Sequence, residues 1–598
     1  VFRNYLFIVI NKLVISNNTK GNIMNALRFF LAALILCPIL SFGQNKNYLP
    51  RKELQSSAEQ IPHLERQGTA TQLVVKGEPF LLISGEVHNS TTGGFAYMRP
   101  VWKRLEQRHL NSVIAPVSWE LLEPEEGKFD FSQVDSVIAG VRKAHLKLVL
   151  IWFASWKNGG STYIPSWVKE NFKKYPRAKD ETGKPLEILS TFGEASVQAD
   201  AKAFAVLMHH IREIDRVQQT VVMIQVENEV GVLDNMGKTP GTARRDFSKA
   251  ANTAFNGPVP HKLMDYLVIH KDSLNPELYK VWSEHGFKTS GTWEEVFGKG
   301  EYTPDKNDYW HSFPYYTEEL FMAWHYAKYI EEVAAAGKKE YPIPMYMNTW
   351  LRFASCYVPG KFPSGGPLPE VLDVWRAGAP SIDIFSPDAG VWGKSGVFEW
   401  VCKQYIRNGN PLFIPETSKG KIGAARVFDV FGEYNAGCFS PFGIDDPVDP
   451  KKDVLAESYN VVEKMEPIIL INQGKGTMRG ILVDSASPVQ KFEMGDYWIE
   501  AQLRDQQKLD IGGGLIIQTG KESFIVAGRG ISVSFAPKDS TRYIGVNVFD
   551  EGTFKNGKWV TERRLNGDEG PWSSGSRVVM SLSDNEECIR KISFYEYK

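Results

Sequence analysis

The sequence predicts an α/β fold: a (β/α)8 TIM barrel followed by a C-terminal all-β, sandwich-like domain. Three observations predict it. Short apolar runs alternate with helix-period stretches over roughly 400 residues, as eight strand–helix units with insertions require. Two of those runs stop abruptly on carboxylates: Val221-Val222-Met223-Ile224-Gln225-Val226-Glu227-Asn228-Glu229 and Pro411-Leu412-Phe413-Ile414-Pro415-Glu416. Beyond residue 471 the helical period vanishes, and short strand-like runs separated by Gly, Asp, Asn and Lys take over.

The elements follow in order. Leu73–Val75, Lys76-Gly77-Glu78-Pro79 and Phe80–Ile83 read as a small hairpin leading into a first buried strand, which ends at Ser84-Gly85-Glu86-Val87-His88-Asn89. A helix is expected over Tyr97–Arg108. The second strand, Ser112–Val117, ends at Ser118-Trp119-Glu120. Ser132 then caps a helix whose apolar stripe is Val134, Val137, Ile138 and Val141. Leu148–Trp152 is strand three. A helix carrying Phe204, Leu207, Met208 and Ile211 precedes strand four at Val221. The longest insertion, residues 231–315, leaves the barrel mouth beside Glu229 and is expected to shape the cleft. A helix in 317–335 stops near Gly337. Strands five to eight are Pro344–Met347, Ile382–Phe385, Leu412–Ile414 and Gly437–Ser440, and a last helix spans 453–465. The β-domain strands are Met478–Val483, Tyr497–Leu503, Leu515–Gln518, Phe524–Ala527, Ile531–Phe535, Tyr543–Phe549 and Arg590–Tyr597. Bracing of the barrel is the first reading of this domain and sugar binding the second.

The chain has 598 residues and a net charge of −1, with no strongly basic region, so nucleic acid is a poor partner. Met24–Arg28 is a short basic start, Phe29–Leu40 an apolar core, and Ser41-Phe42-Gly43 a small-residue cleavage site. Residues 24–43 are therefore expected to be a signal peptide, with periplasmic export. A lipoprotein signal is disfavoured because Leu36, not a small residue, precedes Cys37. Residues 1–23 read as an upstream extension, 44–72 as a lead-in, 73–470 as the catalytic barrel and 471–598 as the β-domain. Cys356, Cys402, Cys438 and Cys588 lack metal-ligand spacing and read as buried free thiols.

Charge is costly inside a sheet covered on both faces, so the terminal carboxylates belong at its C-terminal mouth, where such barrels do their chemistry. Two glutamates on two strand ends are the parts of a glycosidase. Glu229 is the expected acid/base and Glu416 the nucleophile, with Asp388 in reserve. Glu227, deeper along strand four, reads as structural. Further strand-end candidates for sugar contact are Glu86, His88 and Asn89 after strand one, Glu120 after strand two, and Trp350. Trp350 and Trp392 are placed to stack on sugar faces or to pack the core. Two carboxylates and water suffice, so no metal or cofactor is expected.

Several motifs together are more specific. Gln225-Val226-Glu227-Asn228-Glu229 resembles the acid/base motif of glycoside hydrolase family 35, the β-galactosidases. Trp119 with Glu123-Pro124-x-x-Gly127-x-Phe129-Asp130-Phe131, and Trp156-x-x-Gly159-Gly160 with Pro165-x-Trp167, resemble its segments after strands two and three. Glu551-Gly552, Trp559 and Arg564–Asp568 look like the β-domain of a bacterial branch. The resemblance implies a retaining exo-β-galactosidase acting on terminal galactosyl residues, with galactosylated xyloglucan fragments fitting that branch. It also implies that Asn228 donates to the sugar 2-hydroxyl and that Trp119 lies in the sugar pocket. Two departures stand out. Animal and plant members of that family carry Ala-Glu-Trp where this chain has Ala154-Ser155-Trp156, and many members have Trp-Asn where it has Trp119-Glu120. Glu120 is thus the candidate to replace the lost glutamate contact. The rival readings are another retaining β-glycosidase of this barrel clan, a transglycosidase, and a non-catalytic carbohydrate-binding barrel.

Overall fold

The computed structural model describes residues 60–598 apart from 235–240, 301–306, 354, 391–395, 505–508, 556, 575, 585–587 and 598. The expected upstream extension and signal peptide lie outside the described residues, as do residues 44–59 of the lead-in. Among the described residues no helix is long and apolar enough to cross a membrane.

Eight parallel strands form the barrel: β1 (Leu82–Ile83), β2 (Ser112–Ser118), β3 (Lys147–Lys157), β4 (Val221–Asn228), β5 (Met345–Thr349), β6 (Ile384–Ala389), β7 (Phe413–Thr417) and β8 (Cys438–Pro441). They are ordered β1-β8-β7-β6-β5-β4-β3-β2. Backbone bonds close the ring, Val87 N–H to the Ile114 carbonyl at 3.1 Å and Ile114 N–H to the Gly85 carbonyl at 3.0 Å. The strands are covered on both faces, which is why they read as unbroken apolar runs; every residue of β2 and β4 is buried.

Several expectations shift in detail. Glu78–Phe80 belongs to an outer three-stranded sheet with His63–Gln67 and Ala70–Val75, so the barrel strand begins only at Leu82. β3 runs on to Lys157, five residues past the expected end at Trp152. Ser132 does not cap its helix. It is the first residue of Ser132–Lys143, and its N–H donates to the Asp130 carboxylate at 2.8 Å.

Gly337 does not stop the helix Tyr316–Glu340 but lies inside it, against the helix Glu194–Asp215. A Cβ there would sit 2.3 Å from the Phe204 ring. Close helix–helix approach, not termination, is the reason for this glycine. Gly337→Ala is therefore expected to destabilise by about 1–3 kcal/mol through overpacking, more than the ~1 kcal/mol that alanine's helix propensity returns. A raised or unchanged thermal midpoint would contradict this.

From Met478 onward two antiparallel sheets of six and five strands stack around a second apolar core that includes Phe492, Tyr497, Phe524, Phe535 and Phe594. Four strands escaped the sequence reading: Val489–Met494, Lys558–Arg564, Trp572–Ser574 and Arg577–Leu582. The six-stranded sheet packs on the helix Gly420–Glu433, which follows β7. A Cβ at Gly513 would lie 2.1 Å from the Ala425 carbonyl oxygen, so the strand must be bare there for the helix to approach.

Candidate active site

Strands β4, β6 and β7 bring three carboxylates together at the C-terminal mouth. Oxygens of Glu229, Asp388 and Glu416 all lie within 4.8 Å of one another. A cavity of about 690 Å³ opens over them. Its polar lining includes Asn89, Lys157, Asn158 and the three acids; its apolar lining includes Tyr309, Trp350, Phe353, Phe398, Val401 and Phe442. Within the 231–315 insertion beyond Glu229, Tyr309 is the one described residue on this wall. Segments after β5 and β6 supply most of the other large apolar side chains there: Trp350, Leu351, Phe353, Val397, Phe398 and Val401.

The backbone turns sharply at the end of β4. Glu227 and Glu229 have φ of 61° and 46°, a left-handed conformation that costs a non-glycine residue about 1–3 kcal/mol. The Asn348 amide oxygen, at the end of β5, accepts the Glu229 N–H at 2.9 Å. Its NH2 group donates to Asp388 at 2.9 Å and approaches Glu416 at 3.3 Å. The Asn228 amide approaches the same Glu416 oxygen at 3.4 Å. Two amides thus present N–H groups to one carboxylate oxygen, which favours its ionised form.

Enclosure and mutual repulsion work the other way. Burial, then the charge of Glu229, push the Glu416 carboxyl up to about 7, against the opposing pull of Lys157 and Asn228. Asp388 is held well above the carboxylate range by burial, Glu416 and Glu229. Glu86, fully buried with both oxygens unpartnered, is raised by burial and by Glu416. Burial alone would lower the pKa of the Lys157 amine. Glu229, Glu416, Glu86 and Asp388 together outweigh that and hold its pKa above the ordinary lysine value.

Glu227 faces away from the cavity. It accepts the N–H groups of Ser155 and Trp156 at 3.0 and 2.7 Å, and burial and Asp200 keep its carboxyl raised. It ties the ends of β3 and β4 together. Ser155 is buried and bonded to Asp200 at 2.5 Å and Tyr329 at 2.8 Å.

The remaining expected contacts divide. Asn89 and Trp350 line the cavity. Glu86 lies beside its acids but is wholly buried. His88 stands outside the lining, its ring 3.0 Å from Asp446 and edge-on to Phe442. Trp119 is not among the residues lining the cavity. It is fully buried, its indole N–H donates to Glu123 at 2.8 Å, and its ring meets Trp167 edge-on. Glu120, expected to supply a sugar contact, is directed elsewhere. It points from the one-turn helix Trp119–Leu122 to Lys169, 3.1 Å away, and is no part of the cavity lining. Trp392 lies outside the described residues. Sequence reasoning missed Lys157 and Asn348. Cys356, Cys402 and Cys438 are buried free thiols.

Comparison with known proteins finds similarity over parts of the chain. Residues 98–285 match the glycoside hydrolase 42 family profile, described as β-galactosidase. Residues 455–573 match a domain of unknown function, DUF5597. A β-galactosidase of Xanthomonas manihotis is 30% identical over 183 residues, covering 29% of this chain and 28% of that protein. β-Galactosidase-1-like protein 3 of Mus musculus is 29% identical over 171 residues, covering 26% and 23%. The chain thus spans less than a third of the length of either relative. Among solved structures, the β-galactosidase of Bacillus circulans sp. alkalophilus aligns with a TM-score of 0.42 at 15% identity, over 65% of this chain and 57% of that one. The β-amylase catalytic domain of Paenibacillus polymyxa aligns at 0.44 and 13%, over 64% and 97%.

Proposed function

We propose that this chain is a glycoside hydrolase that removes terminal β-galactosyl residues from oligosaccharides with retention of configuration. The observation that carries the reading is the spacing of the Glu229 and Glu416 carboxylates at the barrel mouth. One oxygen of each lies within 4.8 Å of the other, which supports a retaining pair, whose carboxyl groups stand about 5–5.5 Å apart. Glu416 attacks the anomeric carbon and forms an ester as the glycosidic bond breaks. Glu229 gives its proton to the departing oxygen, then takes one from the water that cleaves the ester. The ester removes the Glu416 charge, and with it the repulsion that a deprotonated Glu229 would meet in the second step.

Family 35 membership rests on the motifs at Gln225–Glu229 and after β2 and β3. The β-galactosidase similarity over residues 98–285 supports the sugar. The apolar wall of Trp350, Phe353, Phe398 and Phe442 offers rings to a leaving sugar, which suits an oligosaccharide such as a galactosylated xyloglucan fragment. The basic start and apolar run at 24–40 support export to the periplasm.

The test is release of nitrophenol from 4-nitrophenyl β-D-galactoside by the chain from Gln44 and by Glu416→Gly with added azide. Loss in the variant and rescue as the α-galactosyl azide establish sugar, nucleophile and retention together. Turnover of other aryl glycosides alone moves the substrate; turnover of none, including natural oligosaccharides, sinks the reading. A pH profile adds a further prediction. Glu416 must be ionised to attack, and its carboxyl is pushed up to about 7. kcat/KM should therefore fall about tenfold per unit below neutrality. A plateau extending to pH 5 would contradict it.

A further inference from the structure

Lys157 ends β3 at a point where an exposed lysine would be unremarkable, yet it is buried with its Nζ turned into the carboxylate cluster. Its stem runs beside Phe153, with Nζ 5.3 Å from the ring centre. The charged groups facing it come from four other strand ends: Glu86 after β1, Glu229 after β4, Asp388 in β6 and Glu416 in β7. Its shortest contact is to none of these. Nζ lies 2.8 Å from the Asn228 amide oxygen and 3.9 Å from Glu229.

We propose that Lys157 is a positioning residue of the hydrolytic centre, which fixes the Asn228 side chain with its NH2 group toward the nucleophile. The argument is one of donors and acceptors. An ammonium only donates and an ionised carboxylate only accepts. Asn228 stands between the two, its oxygen on Lys157 and its nitrogen 3.4 Å from Glu416. Turning the amide over would set N–H against N–H on one side and oxygen against oxygen on the other. One orientation is therefore allowed out of two. It points the N–H groups where a sugar hydroxyl beside the anomeric carbon arrives. Asn348 is held independently of Lys157, because its oxygen accepts the backbone N–H of Glu229. Removing the ammonium thus frees one amide and leaves the other as an internal control.

This inference rests on the proposed glycosidase reading for its kinetic consequence, but not for its geometric one. The kinetic experiment compares Lys157→Met, Lys157→Arg, Asn228→Ala and the Met/Ala double variant on 4-nitrophenyl β-D-galactoside and its 2-deoxy analogue. Each variant is measured at its own pH optimum, so that a shift of the Glu416 carboxyl does not enter the comparison. Lys157→Met should lose about 100-fold in kcat/KM on the galactoside, the scale of one misdirected donor. On the 2-deoxy analogue the loss should shrink to a few-fold, and the double variant should be no more than a few-fold worse than Asn228→Ala. Lys157→Arg keeps a donor-only cation and should preserve the 2-hydroxyl contribution. Additive losses, an undiminished loss on the 2-deoxy sugar, or failure of a well-folded Lys157→Arg to preserve that contribution would overturn the proposal. A crystal structure of Lys157→Met, or of Lys157→Arg should the first not fold, decides the geometry even if no glycoside is turned over. The Met variant should show Asn228 swung away from Glu416 with Asn348 unmoved, and the Arg variant should show Asn228 in place. Asn228 staying put without the cation, or moving with it, refutes the claim while leaving the hydrolase reading to its own test.

Discussion

Glu416→Gln should abolish turnover and at the same time make the protein more stable. The catalytic loss should reach about four to six orders of magnitude, because the amide cannot form the ester and the remaining groups have no substitute nucleophile at the same place. The gain in stability follows from linkage. Four acids, Glu86, Glu229, Asp388 and Glu416, surround the single ammonium of Lys157. Burial and Glu229 raise the Glu416 carboxyl from 4.5 to about 7 in the folded chain. A carboxyl with a raised folded pKa favours the folded state at low pH. That contribution is fully present below about 4.5 and is lost as pH rises through about 7. Above neutrality the native protein carries a charge it would rather not hold, at a cost on the order of 2 kcal/mol once screening by cavity water is allowed for. Glutamine keeps an oxygen for the Asn228 and Asn348 amides and removes the charge. The variant should therefore unfold at a higher temperature than the parent at pH 8, with the difference vanishing near pH 4. Equal midpoints at pH 8 would mean that Lys157 neutralises the cluster more fully than this account allows. Residual turnover above a thousandth would shift the nucleophile to Asp388.

The barrel was legible because parallel strands with both faces covered become uninterrupted apolar runs, and because Glu229 and Glu416 end two of them. The β-domain strands that escaped notice are those without such a signal. Lys558–Arg564 is almost wholly exposed at a sheet edge, and Val489–Met494 buries only Phe492 and Met494. Side-chain direction at strand ends was the harder matter. Trp119 and Glu120 follow β2 as Trp350 follows β5, yet a single helical turn sends Trp119 inward to Glu123 and Glu120 outward to Lys169. The Trp-x-x-x-Glu spacing, one turn apart, was the available clue. Nothing local marks Lys157, because its burial depends on acids from four other strands meeting around it. Asn348 was visible as a strand end, but its two-sided role appears only when β4, β6 and β7 are seen beside it.

The second large effect concerns Glu229 and should depend on the leaving group. In Glu229→Ala, a sugar alcohol must depart without a proton, and kcat/KM for an oligosaccharide should fall about 10²–10⁴-fold. A dinitrophenolate departs readily as an anion, so kcat/KM for 2,4-dinitrophenyl β-D-galactoside should change little. The second step then fails for want of a base. The galactosyl ester on Glu416 accumulates, and kcat drops even for the activated substrate. Azide needs no deprotonation, so it should restore kcat and yield the β-galactosyl azide, opposite in configuration to the product from Glu416→Gly. The same small anion then reports two roles through two anomers. Equal losses on both substrates would remove the acid role from Glu229. Rescue to the α-azide would exchange the two residues, placing the nucleophile on β4 and the acid on β7.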